Sequence, residues 1–383
     1  MKNSLLRAAR RKKGWSQQQL ADFAGLSRST IERAERGEPI RVDSIQRLCE
    51  CLQKTPEQLG LLAPEKHDTP QILNQDQLHT VLCSDYLSIL ENDITSRWSL
   101  YHTGGTNLAY QGLNTLVQHI LNCVNLLRGD HLYERALRLL SLGYQLQGSV
   151  YRDLTCYPEA HVAHRKALLV ARELFDPELI AAALVREGIT FNQQESPKAA
   201  ITYFNLAVET IKHLGYIKLE GYILQALSEA QAKAQQSRES WHSISLAEKT
   251  LERQPLIPEQ SLIRLNTASL IAQKGVNAML LHDYKQAIEL IDNSLAGYDP
   301  ALIRGRARLL TQKAEAYYGL GILDACVHNA QDAFMLARSA GSSKIMNKVK
   351  TLHTKLIQSK WRKDPNIADL GNVLTESLVE SGE

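Results

Sequence analysis

Apolar residues recur at intervals of three and four along most of the chain, and this spacing predicts helices throughout. The strict alternation of apolar and polar residues that marks a half-buried strand is almost absent between residues 72 and 360. We therefore predict an all-α protein. The clearest interruption is the stretch 60–71, GLLAPEKHDTPQ, in which prolines, a glycine and polar residues come together. Such a cluster indicates a domain boundary.

Two short consecutive helices are predicted near the amino end. Ser16 and Gln19 have the spacing of a capping box, which starts the first helix, and Gly25 can adopt the left-handed conformation that ends it. Ser27 caps the second helix, and Gly37 ends it. Two helices joined by so short a turn form a helix-turn-helix.

Further short helices are predicted around this pair. Leu5, Leu6 and Ala9 suit a preceding helix. A following helix is predicted from the apolar stripe Val42, Ile45, Leu48 and Leu52. Thr55, with Pro56 as first helical residue, begins a short fifth helix. We expect residues 1–62 to form one small five-helix domain.

These residues resemble the XRE family of regulators, the Cro and phage-repressor type of helix-turn-helix. The resemblance covers residues 3–62 and rests on the S-Q-x-x-L-A opening, Gly25, Ile31-Glu32 and the E-R-G ending. It implies that the second helix of the pair lies in the major groove of double-stranded DNA, with its first residues at the base edges.

Polar side chains on the outer face of this helix suit contacts to DNA. Arg28 and Arg33 can each offer two donors to guanine O6 and N7, and Ser29 can donate or accept, so these three are predicted to read bases. A second set is predicted to hold the phosphate backbone, which positions the domain without reading sequence: Gln17, Gln18, Ser27, Arg36 and Arg41. For any single arginine the alternative is a solvated helix face.

Basic charge is concentrated at this end of the chain. The whole chain carries only +3, which by itself does not identify a nucleic-acid binder. Residues 1–36 hold nine Lys or Arg and three acids, so they carry +6 and the remainder carries −3. The last twenty residues hold five acids and no base. We expect residues 362–383 to form an acidic C-terminal tail.

The chain repeats itself internally at intervals of about forty residues. Three copies keep similar residues at offsets 0, 3, 9, 12 and 19, and two others keep three or four of these positions. The copies are Gly148-Tyr151-Tyr157-Ala160-Ala167, Gly188-Phe191-Pro197-Ala200-Ala207, the weaker Ser228-Gln231-Ala247, and, after a longer gap, Gly275-Ala278-Tyr284-Ala287-Ser294 and Ala314-Tyr317-Cys326-Ala333. Small residues at these sites let two antiparallel helices touch, so the pattern predicts five helix pairs.

This pattern resembles tetratricopeptide repeats whose helices are longer than the usual 34-residue period allows. The resemblance implies a right-handed helical solenoid over residues 72–361, separated from the first domain by a linker at 63–71. Divergent helices are expected at 76–95 and 112–127, and a closing helix at 343–361. An all-helical bundle is the alternative.

In such a solenoid, the first helix of each pair lines a concave groove that suits an extended peptide or a partner helix. Amide side chains there can pair with the N–H and C=O of a peptide backbone, and arginines can hold a carboxylate. The residues predicted to bind a ligand in the groove are Gln145, Arg152, Asn192, Gln225, Glu229, Arg308, Glu315 and Tyr318. Each of them could instead be a solvated polar residue.

The order of an XRE-type domain and lengthened repeats resembles the RRNPP regulators of Gram-positive bacteria, which bind short imported peptides. The resemblance implies a transcription regulator that binds an inverted-repeat operator as a homodimer and senses a short signalling peptide. Two alternatives stay open. The repeats could bind a partner protein, sequestering or dephosphorylating it, or they could serve only to dimerise.

Other chemistry finds little support in the sequence. Phosphate-binding loops of the form G-x-x-x-x-G-K-S/T or G-x-G-x-x-G are absent, so we expect neither an enzyme nor a cofactor. His161 and His164 lack an evident third ligand, and Cys49 and Cys51 are a poor zinc pair, so no metal is expected. Six scattered cysteines and no apolar signal or membrane segment predict a cytoplasmic protein with reduced thiols.

Overall fold

The computed structural model describes residues 3–56, 58–61, 75–254 and 257–376, and in those ranges all regular structure is helical. The chain divides into two compact units, residues 1–81 and 82–383. The predicted linker at 63–71 lies outside the described residues. The all-α prediction is confirmed.

The N-terminal unit packs four short helices around one core. They are α1 (Ser4–Lys12), α2 (Gln17–Ala24), α3 (Arg28–Arg36) and α4 (Val42–Leu52). Leu6, Leu20, Ile31 and Leu48, one from each helix, are fully buried in that core. The predicted capping box at the start of α2 is present, and Gly25 and Gly37 end α2 and α3 with φ of 64° and 78°.

Two details of the predicted domain are wrong. The fifth helix is absent among the described residues; a turn stands there, closed by hydrogen bonds from the Leu59 N–H to the Thr55 carbonyl and from the Leu61 N–H to the Pro56 carbonyl. Val42 is 81% exposed. It is exposed because the buried stripe of α4 runs at intervals of four through Ser44, Leu48 and Leu52, which leaves Val42 outside it.

Three helices precede the repeated helix pairs in the C-terminal part of the chain. The first three are α5 (Gln75–Thr103), α6 (Thr106–Tyr110) and α7 (Leu113–Leu126). The five pairs are α8 (Tyr133–Asp153) with α9 (Tyr157–Glu173), α10 (Pro177–Gln193) with α11 (Pro197–Ile211), α12 (Ile217–Lys233) with α13 (Ser237–Leu251), α14 (Thr267–Leu280) with α15 (Tyr284–Ala296), and α16 (Ile303–Leu320) with α17 (Leu323–Ser339). The helices α18 (Ser343–Ile357) and α19 (Pro365–Glu376) follow. The five predicted pairs are confirmed.

Close helix contacts explain the repeated small residues. A Cβ added at Gly148 would lie 2.4 Å from the His164 ring, and one added at Gly188 would lie 2.6 Å from Cε1 of Phe204. In each case the glycine belongs to the first helix of a pair and the ring to the second. Only a glycine lets the two helices approach this closely.

Part of the segment expected to form an acidic tail, residues 362–383, is helical and packed. Residues 365–376 form α19, whose Ile367, Leu370 and Leu374 are buried against α17 and α18. The apolar stripe at intervals of three and four buries this segment, although its composition is acidic. Residues 377–383 lie outside the described part of the chain.

Residues near the start of the repeat unit contact residues near its end. Asp153, the last residue of α8, accepts hydrogen bonds from Thr106 Oγ1 at 2.9 Å and from Ser342 Oγ at 3.1 Å. Nearby, the guanidinium of Arg304 lies 3.7 Å from the ring centre of Tyr101. We call these the closure contacts, because they join residues almost two hundred positions apart in the sequence.

Candidate functional site

The outer face of α3 carries the predicted base-reading residues. Arg28, Ser29 and Arg33 are exposed, while Ile31 and Ala34 on the opposite face are buried. The apolar spacing of the helix therefore fixes which side chains point away from the core. The three predicted residues lie together on one exposed helix face.

These arginines have only weak partners in the protein itself. The Nε atom of Arg28 lies 2.9 Å from Oε1 of Glu32, and that of Arg33 lies 3.5 Å from Oε2 of Glu38. Arg33 also donates to the Pro39 carbonyl at 2.9 Å. Exposed ion pairs contribute about 0–1 kcal/mol, so both guanidinium groups can exchange these partners for others at little cost.

The residues predicted to hold phosphates flank this face. Ser27 Oγ accepts from the Thr30 N–H and caps α3, and Arg36 and Arg41 are exposed. Gln18 is also exposed and donates to Asp22. Only one member of the set turns inward. The Gln17 side chain is half-buried, and its Nε2 donates to Oε2 of Glu35 at 2.8 Å.

A buried ion pair, which the sequence analysis missed, supports α3 from behind. Arg10 of α1 donates through Nε to Glu35 at 2.7 Å, and Glu35 is 1% exposed. Burial alone raises the pKa of the Glu35 carboxyl, but the hydrogen bonds from Arg10 and Gln17 outweigh it and lower the pKa. The available signal was the position of Glu35, four residues after Ile31 on the buried stripe.

The predicted groove residues of α8 and α10 are covered. Gln145, Arg152 and Asn192 are 0%, 7% and 4% exposed. Arg186, which the sequence analysis did not select, donates to Gln145 Oε1, and Arg152 donates to the Arg186 carbonyl at 3.2 Å. The guanidinium carbon of Arg186 lies 4.7 Å from the centre of the Trp98 ring of α5. These predicted residues therefore contact their own chain rather than an open groove.

The predicted residues from α12 to α16 are more accessible. Gln225 donates to the Ser269 carbonyl, Glu315 accepts from Lys348, and Tyr318 packs edge-on against Trp361; each of the three is half-buried. Most of them sit beside charged neighbours on facing helices. This stretch is therefore polar and partly open.

Glu229 and Arg308 form the central ion pair of that stretch, with Nη2 and Oε2 2.6 Å apart. Burial alone raises the pKa of Glu229, but the neighbouring cations outweigh it and lower the pKa. Those cations are Arg308, Lys233, Lys344 and Lys348. Two of these cations also have carboxylate partners of their own, since Lys233 pairs with Glu195 at 2.8 Å and Lys348 with Glu315 at 3.2 Å. The stretch is therefore a network of opposite charges.

The two histidines that were weighed as metal ligands have other surroundings. His161 bonds to Glu187 Oε1 at 2.9 Å and to Gln194 Oε1 at 2.7 Å. His164 is fully buried against Gly148. Within the described residues, no three His, Cys, Asp or Glu side chains are grouped to hold a metal ion. Likewise, among the helices of those residues, none is long and apolar enough to cross a membrane.

Comparison with known proteins supports both units. Residues 6–59 match the helix-turn-helix family, so the XRE-type N-terminal prediction is confirmed and the chain carries a DNA-binding domain. No curated protein matches the sequence. Solved structures match the chain as well. The Rap protein complexed with Competence and Sporulation Factor aligns with a TM-score of 0.51 and 14% identity, over 78% of this chain and 71% of that one.

The second structure is PlcR of Bacillus thuringiensis in complex with the peptide PapR7 and DNA. It aligns with a TM-score of 0.28 and 17% identity, over 86% of this chain and 98% of that one. The likeness to the Rap protein shows a shared helical-repeat fold. The predicted tetratricopeptide-like architecture is confirmed.

Proposed function

We propose that this protein is a sequence-specific transcription regulator that binds double-stranded DNA through α3. The exposed set of Arg28, Ser29 and Arg33 is the observation that carries the proposal, because guanidinium and hydroxyl groups on one helix face can bond to base edges. Gln18, Ser27, Arg36 and Arg41 hold the flanking phosphates.

We further propose that the regulator acts as a homodimer on an inverted-repeat operator. One small helix-turn-helix domain touches few phosphates, so affinity and specificity rise when two half-sites are bound together. An exposed apolar stripe on α5 offers a surface for pairing. It consists of Leu82, Tyr86 and Ile89, which are 59%, 41% and 62% exposed and follow one another at helical spacing.

The repeat unit is proposed to sense a short peptide. Support comes from the half-buried polar residues of α12 to α16, which are Gln225, Glu229, Arg308 and Glu315. The similar fold of the Rap protein, which was solved in complex with Competence and Sporulation Factor, supports a ligand-binding role for this architecture.

Selection of duplexes from a random library tests DNA recognition directly. The wild-type chain is expected to enrich an inverted repeat, and Arg28→Ala or Arg33→Ala is expected to lose about 1–3 kcal/mol on the selected duplex per lost base contact. Arg41→Ala should weaken selected and random duplexes alike. Arg238→Ala, an exposed arginine of α13, is the matched control for the loss of charge.

Equal losses on both duplexes for Arg33→Ala would remove that residue from the base-reading set. A wild-type protein that ignores every duplex at low ionic strength would refute the proposal as a whole. The second candidate is a repeat protein that sequesters or dephosphorylates a partner, and the helical-repeat fold supports it because its concave surface also suits a partner helix. This candidate predicts that the protein keeps its effect in the cell when Arg28→Ala and Arg33→Ala are combined.

A further inference from the structure

A segment without regular secondary structure separates α13 from α14 and lies inside the repeat unit. It comprises residues 257–265, with the sequence IPEQSLIRL, and we call it the inner segment. It falls where the forty-residue repeat is interrupted by a longer gap. Ser261 at its centre is 1% exposed. The centre of the inner segment is therefore covered by the helices on which it lies, while Pro258, Gln260 and Arg264 are exposed.

Side chains of α10 form hydrogen bonds with both the N–H and the C=O groups of the inner-segment backbone. Oε1 of Glu178 accepts from the N–H groups of Gln260 and Ser261, each at 2.6 Å. Nη2 of Arg186 donates to the Ser261 carbonyl at 2.9 Å. A carboxylate and a guanidinium from one helix thus satisfy two donors and one acceptor of the segment. These contacts recognise a peptide backbone rather than particular side chains.

The side chains of the inner segment add both polar and apolar contacts. The carboxylate of Glu259 accepts from the N–H groups of Lys218 and Leu219 at the start of α12, at 2.7 and 2.8 Å. Leu262 packs against the core of the first helices, and Leu265 against the core around α10 to α13. The segment therefore presents an acidic residue followed by apolar ones.

One residue behind this contact, Gln145, was predicted to bind a ligand. Arg186 is held by Gln145 and stacks on Trp98. Burial lowers the pKa of Arg186 to about 10, so the guanidinium stays charged at neutral pH. At Leu262 the backbone has a φ of 54°, a left-handed conformation that a residue with a side chain rarely adopts. The surrounding contacts hold the segment in that conformation.

We propose that the inner segment occupies, from within the chain, a peptide-binding site formed by Glu178, Arg186 and Gln145, and that an activating peptide acts by displacing it. The sequence of the inner segment indicates the class of ligand, which is an extended peptide. In such a peptide an acidic residue is followed, three to six positions later, by two or three aliphatic residues. The inference rests on the proposed peptide-sensing function and adds its regulation. Because the segment is tethered, it competes at a high effective concentration with any free peptide.

The test uses the segment itself as a probe. A fluorescent peptide IPEQSLIRL is titrated against the full chain in which residues 257–265 are replaced by nine Gly and Ser residues. Fluorescence anisotropy should report saturable binding, about tenfold or more tighter than to the wild-type chain, whose site is filled. A scrambled peptide keeps the backbone groups but misplaces the side chains of Glu259, Leu262 and Leu265, so it should bind about tenfold or more weakly. Glu178→Gln in the replaced chain should also weaken binding about tenfold.

A second variant tests the same inference without replacing the segment, in case the replaced chain misfolds. Glu259→Ala removes only the anchor of the segment on α12 and leaves Glu178 and Arg186 intact; Glu252→Ala, exposed and outside the segment, is its control. Glu259→Ala should bind the free peptide more tightly than the wild type does, and Glu252→Ala should not. If neither altered chain binds IPEQSLIRL better than the scrambled peptide, the inference is wrong.

Failure of the proposed function gives a different result. If IPEQSLIRL binds the replaced chain but no peptide changes the affinity of the wild-type chain for DNA, the site exists and peptide sensing fails. If another peptide alters DNA affinity while IPEQSLIRL binds neither variant, sensing stands and the inner segment is not its competitor.

Discussion

Arg10 of α1 and Glu35 of α3 form a buried, two-pronged ion pair. The guanidinium donates through Nε at 2.7 Å and through Nη2 at 3.3 Å, one bond to each carboxylate oxygen. Gln17 of α2 donates to the same carboxylate at 2.8 Å. Three helices of the N-terminal unit therefore meet at one charged group, directly behind the face proposed to read DNA.

Replacing Glu35 with Gln should destabilise the N-terminal unit by about 3–5 kcal/mol, because Arg10 is left buried without its counter-charge. Hydrogen–deuterium exchange of α1 and α3 amides in the full chain measures the change. Glu38→Gln is the control, since its carboxylate pairs only with exposed arginines and should cost less than about 1 kcal/mol. Equal exchange in the two variants would show that the buried pair stabilises the unit no more than the exposed pairs of Glu38 do.

Gly188→Ala should destabilise the repeat unit by about 1–3 kcal/mol. Alanine favours a helix over glycine by about 1 kcal/mol, but its Cβ would lie 2.6 Å from buried Phe204, so the packing conflict outweighs that gain. Thermal unfolding measures the balance. Gly297→Ala has nothing within 4 Å and a negative φ, and should be neutral or stabilise by about 0.4–1 kcal/mol. A stabilised Gly188→Ala variant would contradict the close helix contact.

The stability of the repeat unit should fall as the pH drops below about 6.5. Burial, together with the nearby cations Arg304, Arg264 and Arg186, lowers the pKa of His102 to about 3, so the folded protein keeps this ring neutral. The unfolded chain binds a proton near pH 6.5, and between the two pKa values acid therefore favours unfolding. His102 alone should cost about 2 kcal/mol at pH 5 relative to pH 7.

Urea unfolding at the two pH values measures this loss, and His102→Gln should reduce it. Burial also holds the pKa of His164 well below its ordinary value, so His164→Gln should act in the same direction. His242→Gln, on the exposed face of α13, is the control. A wild-type protein that is equally stable at pH 5 and pH 7 would contradict the effect.

Ile89→Asp should convert the proposed dimer to a monomer. The substitution puts a charge into the exposed apolar stripe on α5, where it would be buried without a partner if two copies pair there. Sedimentation at micromolar concentration distinguishes the two states. Leu206→Asp, at a similarly exposed position on α11, should leave the assembly unchanged. If both variants and the wild type sediment as dimers, pairing uses another surface.

Local signals in the sequence were sufficient for most of the helices and their order, but not for α6, for α19 or for the turn that stands in place of the predicted fifth helix. Ser16, Gly25, Ser27 and Gly37 act through hydrogen bonds and backbone conformations within a few residues, so their roles are visible without tertiary information. The repeated small residues likewise predicted helix pairs, since each pair needs a close approach at the same place. The exposed face of α3 followed from the spacing of its apolar residues.

Contacts between distant residues could not be predicted in the same way. Glu35 has a local signal as a charge on an apolar stripe, but its partner Arg10 lies on another helix. The burial of Gln145 and Arg152 depends on Trp98, Tyr101 and residues of the inner segment, which lie far from them in the sequence. The gap before the fourth repeat was visible in the sequence, but its residues did not indicate that the segment packs against α10.

Asp153 limits how the repeat unit can move. Its two carboxylate oxygens join Thr106, which precedes the pairs, to Ser342, which follows them. A stack of helix pairs with free ends could lengthen by small rotations shared among all the pairs, but here such a change must first break these hydrogen bonds. The hydrogen bonds of Asp153 should consequently resist extension of the domain.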